Sequence, residues 1–253
     1  VKRPTGTLIL VAALSALILS ACGNNDDATT TTTPPTTAAD ITTTTTAAAA
    51  AAVVPQTYEE FRAQSTACGA EAPPPVVPMQ FDQPGDLSLD PTVKVPMSIV
   101  TSCGSIEVEL DPSLAPEAVN SFVFLAGEGY FDGSASHRIL PGFVMQAGDQ
   151  TATGLGGPGY TIADEFPPQD FVYSRGTLAM ANAGPGTTGS QFFIVLDEVQ
   201  LPPQFSVFGE VVAGFEVLDR IEEIPLGRAP TSADPNPSTP LATLYLDSIA
   251  VGA

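Results

Sequence analysis

From residue 137 to 212 the apolar residues come in five short runs, at 137–140, 143–146, 177–181, 191–196 and 206–212, and the segments between them carry glycine or proline. None reaches the usual helix length of about 11–12 residues, and all fit strands of about 5–6. Residues 93–100 and 105–110 read as two further strands around a turn at Ser102-Cys103-Gly104. In the second, Ile106, Val108 and Leu110 face one way and Glu107 and Glu109 the other. Helical spacing returns in two places. Ala115-Pro116-Glu117 puts a proline and an acid into a first turn, and Val119, Phe122, Val123 and Ala126 then recur on one face until Gly127 and Gly129. Residues 215–224 form a second amphipathic segment, followed by a last strand at 244–251. Many short strands with two helices predict a mainly β domain over 93–253, a closed antiparallel barrel with helices capping its ends.

The first ninety residues have a different character. Val1-Lys2-Arg3 is a short basic start, and residues 7–19 are apolar but too short to span a bilayer comfortably. The run ends in Leu19-Ser20-Ala21-Cys22, with Gly23-Asn24-Asn25-Asp26-Asp27 next. That order resembles the bacterial lipobox, so residues 1–21 are expected to be a lipoprotein signal peptide and Cys22 the lipidated residue. An uncleaved anchor is the alternative; either way the rest of the chain is exported and held at the cell membrane. Residues 22–57 are mostly Thr, Ala and Pro, which bury too little to offset chain entropy, and are expected to be a disordered tether. Residues 58–92 are a proline-rich extension leading into the domain. Setting Cys22 aside leaves Cys68 and Cys103, in the similar contexts Thr-Ala-Cys-Gly and Thr-Ser-Cys-Gly. In an oxidising compartment this pair is expected to form a disulfide; two free thiols are the alternative.

Composition narrows the chemistry. A formal net charge of -20 leaves no basic patch for nucleic acid and argues against electrostatic attachment to anionic lipid. One histidine and two dispersed cysteines lack zinc-ligand spacing. No Gly-x-Ser-x-Gly elbow accompanies His137, and the glycine-rich 154–159 has no lysine of a phosphate loop. Paired carboxylates are not excluded by counting acids, although the chain has no tryptophan to stack a sugar. What stands out is Arg138, one of only eight basic residues, in an apolar neighbourhood. With Phe143, Val144 and Gln146, the small residues and amide of 180–185, and the aromatics of 189–194, it suits a shallow apolar pocket rimmed by one cation and several amides. Such a pocket fits a neutral peptide.

The stretches HRILPGFVMQAGD (137–149), MANAGPGTTGSQFFI (180–194) and VFG (207–209) resemble the cyclophilin family of peptidyl-prolyl cis–trans isomerases, and order and spacing agree over about 93–253. The resemblance implies an eight-stranded barrel closed by two helices, an active site on the outer barrel face, and no cofactor or metal. It also implies proline-containing polypeptides as substrates and folding of exported proteins as the role. Nothing in the sequence calls for an oligomer, and a monomer is expected. By the same resemblance Arg138 is the catalytic arginine and Gln146 its supporting amide. Phe143, Val144 and Phe193 form the proline pocket, Ala181 and Asn182 bind the substrate chain, and Gln191 sits on the polar rim. Val144 replaces a usual methionine and shortens that wall. The segment 196–205 is about one residue shorter than in well-known members. It keeps Leu201 but has no tryptophan, and Phe205 stands at a histidine position, so the inhibitor cyclosporin is expected to bind weakly.

The physics agrees with that implication. The X-Pro barrier of about 18–20 kcal/mol comes from amide conjugation. Twisting the bond returns a lone pair to the proline nitrogen, and a guanidinium aimed there favours the twisted form over either planar isomer. The reaction needs one cation, with no proton transfer and no bond cleavage. A non-catalytic proline-peptide-binding module using the same groove is the alternative.

Overall fold

The computed structural model describes residues 53–251. The expected signal peptide, Cys22 and most of the expected tether lie outside the described residues. The described chain opens with a short helix, α1 (Tyr58–Arg62), and a 3-10 turn at Ala67–Gly69. Strands β1 (Val95–Thr101) and β2 (Gly104–Leu110) form a hairpin and lead to helix α2 (Pro116–Gly127). Four short strands follow: β3 (Ser134–Ala135), β4 (Arg138–Leu140), β5 (Val144–Ala147) and β6 (Thr177–Met180). Then come β7 (Phe192–Val195), β8 (Val207–Ala213) and helix α3 (Phe215–Glu222). The chain ends with β9 (Leu226–Gly227), β10 (Thr239–Pro240) and β11 (Tyr245–Val251).

Alternation decides the two sides of the sheet. Ile106, Val108 and Leu110 of β2 are buried, and Ser98 of β1 hydrogen-bonds Glu107 on the other face at 3.0 Å. Helix α2 lays its apolar face inside, where the ring of Phe122 lies 5.0–5.2 Å from those of Phe131, Phe192 and Phe208. This interior cluster fills the curl of the sheet. A second cluster, built on Val144, Ala179, Phe193, Val195 and Val207, lies on the opposite face of β5, β7, β6 and β8.

The expected closed eight-stranded barrel is corrected to a curled half-barrel of nine antiparallel strands, in the order β3-β11-β1-β2-β8-β6-β7-β5-β4; β9 and β10 pair separately. The reason is local. Residues 137–140 read as one apolar run, but Ser134–Ala135 just before it is a separate short strand and the pairing changes at Ser136-His137: β3 pairs with β11 and β4 with β5. The two short strands become opposite edges of the sheet. At the break Ser136 uses its N–H on Leu244 O, at 2.8 Å, and its hydroxyl on Gln146 O, at 2.8 Å. Among the described residues the short helix α1 is added to the two helices expected.

The proline-rich extension wraps the sheet through directed polar contacts. The Tyr58 hydroxyl donates to Gly133 O at 2.8 Å and accepts from Val76 N at 2.9 Å. Gln150 accepts from Met79 N at 2.8 Å and donates to Tyr130 O at 2.8 Å. Gly133 has φ +74°, and a Cβ there would meet Pro74 O at 2.5 Å, so the extension packs where only glycine leaves room. Phe81 stacks edge-on against Phe124 with ring centres 5.2 Å apart. Even Pro55, in the stretch expected to be tether, is buried. Cys68 and Cys103 are disulfide-bonded, with Cα atoms 5.1 Å apart, joining the extension to the β1–β2 turn.

Candidate active site

Strand register builds the site. Arg138 on β4 is paired directly with Gln146 on β5, Gln146 with Phe193 on β7, Phe193 with Ala179 on β6, and Ala179 with Val207 on β8. Directly paired residues project to the same face, so one row crosses the sheet from a cation through an amide to an apolar floor. The alternate residues Met145, Phe192 and Ile194 point into the core. Phe143 enters after the Pro141-Gly142 turn, where Gly142 takes φ +69° and donates its N–H to Glu222 at 2.6 Å. The Arg138 guanidinium carbon lies 5.8 Å from the centre of the Phe143 ring, a cation–π distance.

The polar edge is a relay of hydrogen bonds. Arg138 Nη1 donates to Gln146 Oε1 at 3.1 Å, and Gln146 Nε2 to Gln191 Oε1 at 3.0 Å. Gln191 Nε2 donates to Gly154 O at 3.0 Å and Gly156 O at 2.9 Å. Segment 149–156 is in turn wound around Asp149, which accepts from the backbone N–H groups of Thr151, Thr153, Gly154 and Gly156. Burial pushes the Asp149 carboxyl up, but the hydrogen bond from the Thr151 hydroxyl and those from the Gly156 and Thr151 backbone outweigh it, and the net direction is down. On its other edge Arg138 makes a two-point pair with Asp234, from Nε to Oδ2 at 2.9 Å and from Nη2 to Oδ1 at 2.7 Å.

Among the expected site residues, Phe143, Val144, Ala181, Phe193, Leu201 and Phe205 all join the outer apolar cluster. Phe205 stacks edge-on against Phe193 at 5.4 Å, filling with an apolar ring the place where a histidine was expected by resemblance. Asn182 lies beside Ala181 and Gln191 along a neighbouring hollow of about 320 Å³. Its side chain is already engaged, donating to Gln204 O at 2.8 Å and accepting from Gly184 N at 3.2 Å. Sequence reasoning missed Asp234, which lies in a proline-rich loop with no periodic signal. It also missed that Pro55 and Gln56 help to wall a cavity of about 310 Å³ beside Arg138. Among the described residues no group of three or more His, Cys, Asp or Glu is placed to hold a metal ion.

His137 borders that cavity, and its ring Nδ1 is enclosed without a hydrogen-bond partner. Burial pushes the imidazole down to about 4 from 6.5. The unfolded chain therefore takes up the proton first, and stability falls as pH drops from about 6.5 to about 4. The contribution is about 3 kcal/mol. The expected result is a shallower pH dependence for His137→Asn than for wild type in urea unfolding between pH 7 and pH 4.5. Parallel curves would show that His137 takes up its proton at the same pH folded and unfolded, and that burial does not hold it neutral.

A mainly β fold with few helices and a cation-edged aromatic groove on its outer face defines the class, and comparison with known proteins places it. The profile of the cyclophilin type peptidyl-prolyl cis-trans isomerase/CLD family matches residues 96–242. A probable peptidyl-prolyl cis-trans isomerase B of Mycobacterium tuberculosis is 38% identical over 187 residues, covering 68% of this chain and 60% of that relative's length. Peptidyl-prolyl cis-trans isomerase B of Streptomyces anulatus is 39% identical over 172 residues, 61% of this chain and 94% of the relative. The crystal structure of a cyclophilin type isomerase from Cryptosporidium parvum in the presence of the dipeptide Ala-Pro has a TM-score of 0.57 and 33% identity, covering 62% of this chain and 99% of that one. This chain belongs to the cyclophilin-type peptidyl-prolyl cis-trans isomerase family.

Proposed function

We propose that the chain catalyses cis–trans isomerisation of X-Pro peptide bonds. The observation that carries this reading is the Arg138 guanidinium, held by Gln146 at the edge of a pocket floored by Phe143 and Phe193. Phe143, Val144, Phe193 and Leu201 grip the proline ring, while Ala181, Asn182 and Gln191 line the path of the preceding residues. The arginine meets the nitrogen lone pair that appears only as the amide twists, so it binds the transition state better than either planar isomer. The related Cryptosporidium protein was crystallised with Ala-Pro, a ligand of the required class. Arg138, Gln146, Phe143 and Phe193 of a single chain supply the pocket, and we take the active form to be a monomer.

The second reading, a binding module without turnover, has one observation in its favour: Asp234 already pairs with Arg138. Both readings are tested by following cis-to-trans conversion of an Ala-Pro peptide with a trans-specific protease. Acceleration by the full chain supports the enzyme. Binding of the peptide without acceleration supports the module.

The location belongs to the same proposal. The chain is exported, cleaved before Cys22 and anchored to the bacterial cell membrane through lipid on that cysteine, where it assists folding of exported proteins. The apolar segment 7–19, the Leu-Ser-Ala-Cys order and a disulfide of the kind oxidising compartments sustain support it. Mass spectrometry of the membrane-extracted protein tests it: an unmodified Cys22 would sink the anchor.

A further inference from the structure

Arg138 is held by two partners of unequal reach. Gln146 supplies one hydrogen bond, whereas Asp234 grips two donors along one edge of the guanidinium. A single hydrogen bond leaves a long side chain free to turn about it; a two-point carboxylate pair fixes the guanidinium plane. Three donors are spent in these bonds, and one N–H on each terminal nitrogen stays unspent. The pair is also partly shielded, with side-chain exposures of 28% for Arg138 and 15% for Asp234.

The carboxylate is itself held in place. Asp234 lies in the loop between β9 and β10, 96 residues from Arg138 in sequence. Arg228 reaches across that loop and donates to the carbonyls of Asp234 and Pro235. The backbone N–H of Asp234 donates to Ser232 Oγ at 3.2 Å. The far end of the loop is pinned to β4 itself, because Ile139 N donates to Ser238 O at 2.8 Å, one residue from Arg138. Loop and arginine thus share one backbone frame, and the carboxylate has little freedom to follow a wandering guanidinium.

We propose that Asp234 is a positioning residue for the catalytic arginine: it sets the plane of the guanidinium so that its unspent N–H groups stay at the Phe143 edge of the proline pocket. This rests on the isomerase reading above. Both Asp234 carboxylate oxygens accept from Arg138, so its loss should reach the substrate through Arg138. Binding of the ring by Phe143, Phe193 and Leu201 would persist, while the transition-state contact loosens. Misplacement of a reacting group by about 1 Å commonly costs far more than a lost ground-state contact.

The test compares full-length wild type, Asp234→Asn and Asp234→Glu in isomerisation of the same Ala-Pro peptide, with thermal melts in the same buffer. Asp234→Asn should lower kcat roughly 10-fold and leave KM within about twofold, with Asp234→Glu recovering part of the loss. In ¹⁵N NMR the Arg138 Nε–H signal should be distinct and slowly exchanging in wild type and lost in Asp234→Asn. An unchanged or higher kcat in Asp234→Asn overturns the proposal, since the pair would then be idle or a brake. So does a fall in kcat no larger than the fall in folded fraction. An inactive wild type overturns the isomerase reading itself; an active wild type with an indifferent Asp234→Asn overturns this proposal alone.

Discussion

Arg138→Ala should lower kcat/KM for an Ala-Pro peptide by about 100- to 1,000-fold, the loss typical when a lone electrostatic stabiliser of a transition state is removed. No second cation stands ready. Among the described residues Arg138 is the only lysine or arginine lining the cavity or the neighbouring hollow, and burial holds His137 neutral. Arg138→Lys separates charge from geometry. It keeps the charge but cannot grip Asp234 and Gln146 together, so its activity should fall nearly as far as that of the alanine variant. Stability should change little, on the order of 1 kcal/mol, because the Arg138–Asp234 pair is partly solvated. An alanine variant that keeps more than about a tenth of wild-type kcat/KM would place catalysis elsewhere.

Removal of the Cys68–Cys103 disulfide should cost about 3–4 kcal/mol of unfolding free energy, since the bond closes a separation of 35 residues and restrains the unfolded chain accordingly. Cys68 is exposed while Cys103 is buried at 3% exposure, so reductant reaches the bond from the extension side. The measurement is the urea midpoint with and without reductant, alongside a variant with both cysteines changed to serine. Turnover should survive in conditions where the reduced protein is still folded, because no residue of 53–92 belongs to the outer apolar cluster among the described residues. Equal midpoints would show that the bond carries no stability.

Legibility in the sequence followed locality. The strand at 105–110 and the helix at 116–126 were readable because period-2 and period-3.6 burial leave their marks over a few consecutive residues. The residues around Arg138 were readable for a related reason: Arg138, Phe143, Val144 and Gln146 sit on one short hairpin, and the distance between them is set by a Pro-Gly turn. What escaped was set by tertiary contact. Nothing in the pattern of 134–140 marks the break at Ser136-His137, because it is imposed by hydrogen bonds to Leu244 and Gln146. Helix α1 is five residues long, too short to show a period. The pairing of Asp234 with Arg138 depends on how a proline-rich loop folds back over 96 residues, which no spacing rule encodes.

The wrapped extension bears on where this protein can be cut. The family profile begins at residue 96, and a chain trimmed there would keep all that the profile matches. It would lack the residues that satisfy Gly133 O and the side chain of Gln150, expose the Phe124 face covered by Phe81, and leave Cys103 a free thiol. The contacts made by Tyr58 and Cys68 therefore put the start of the folding unit ahead of Tyr58, well before the boundary of the family profile. A recombinant domain trimmed to the family boundary should precipitate or bind apolar dyes, while one that starts at Val53 should not.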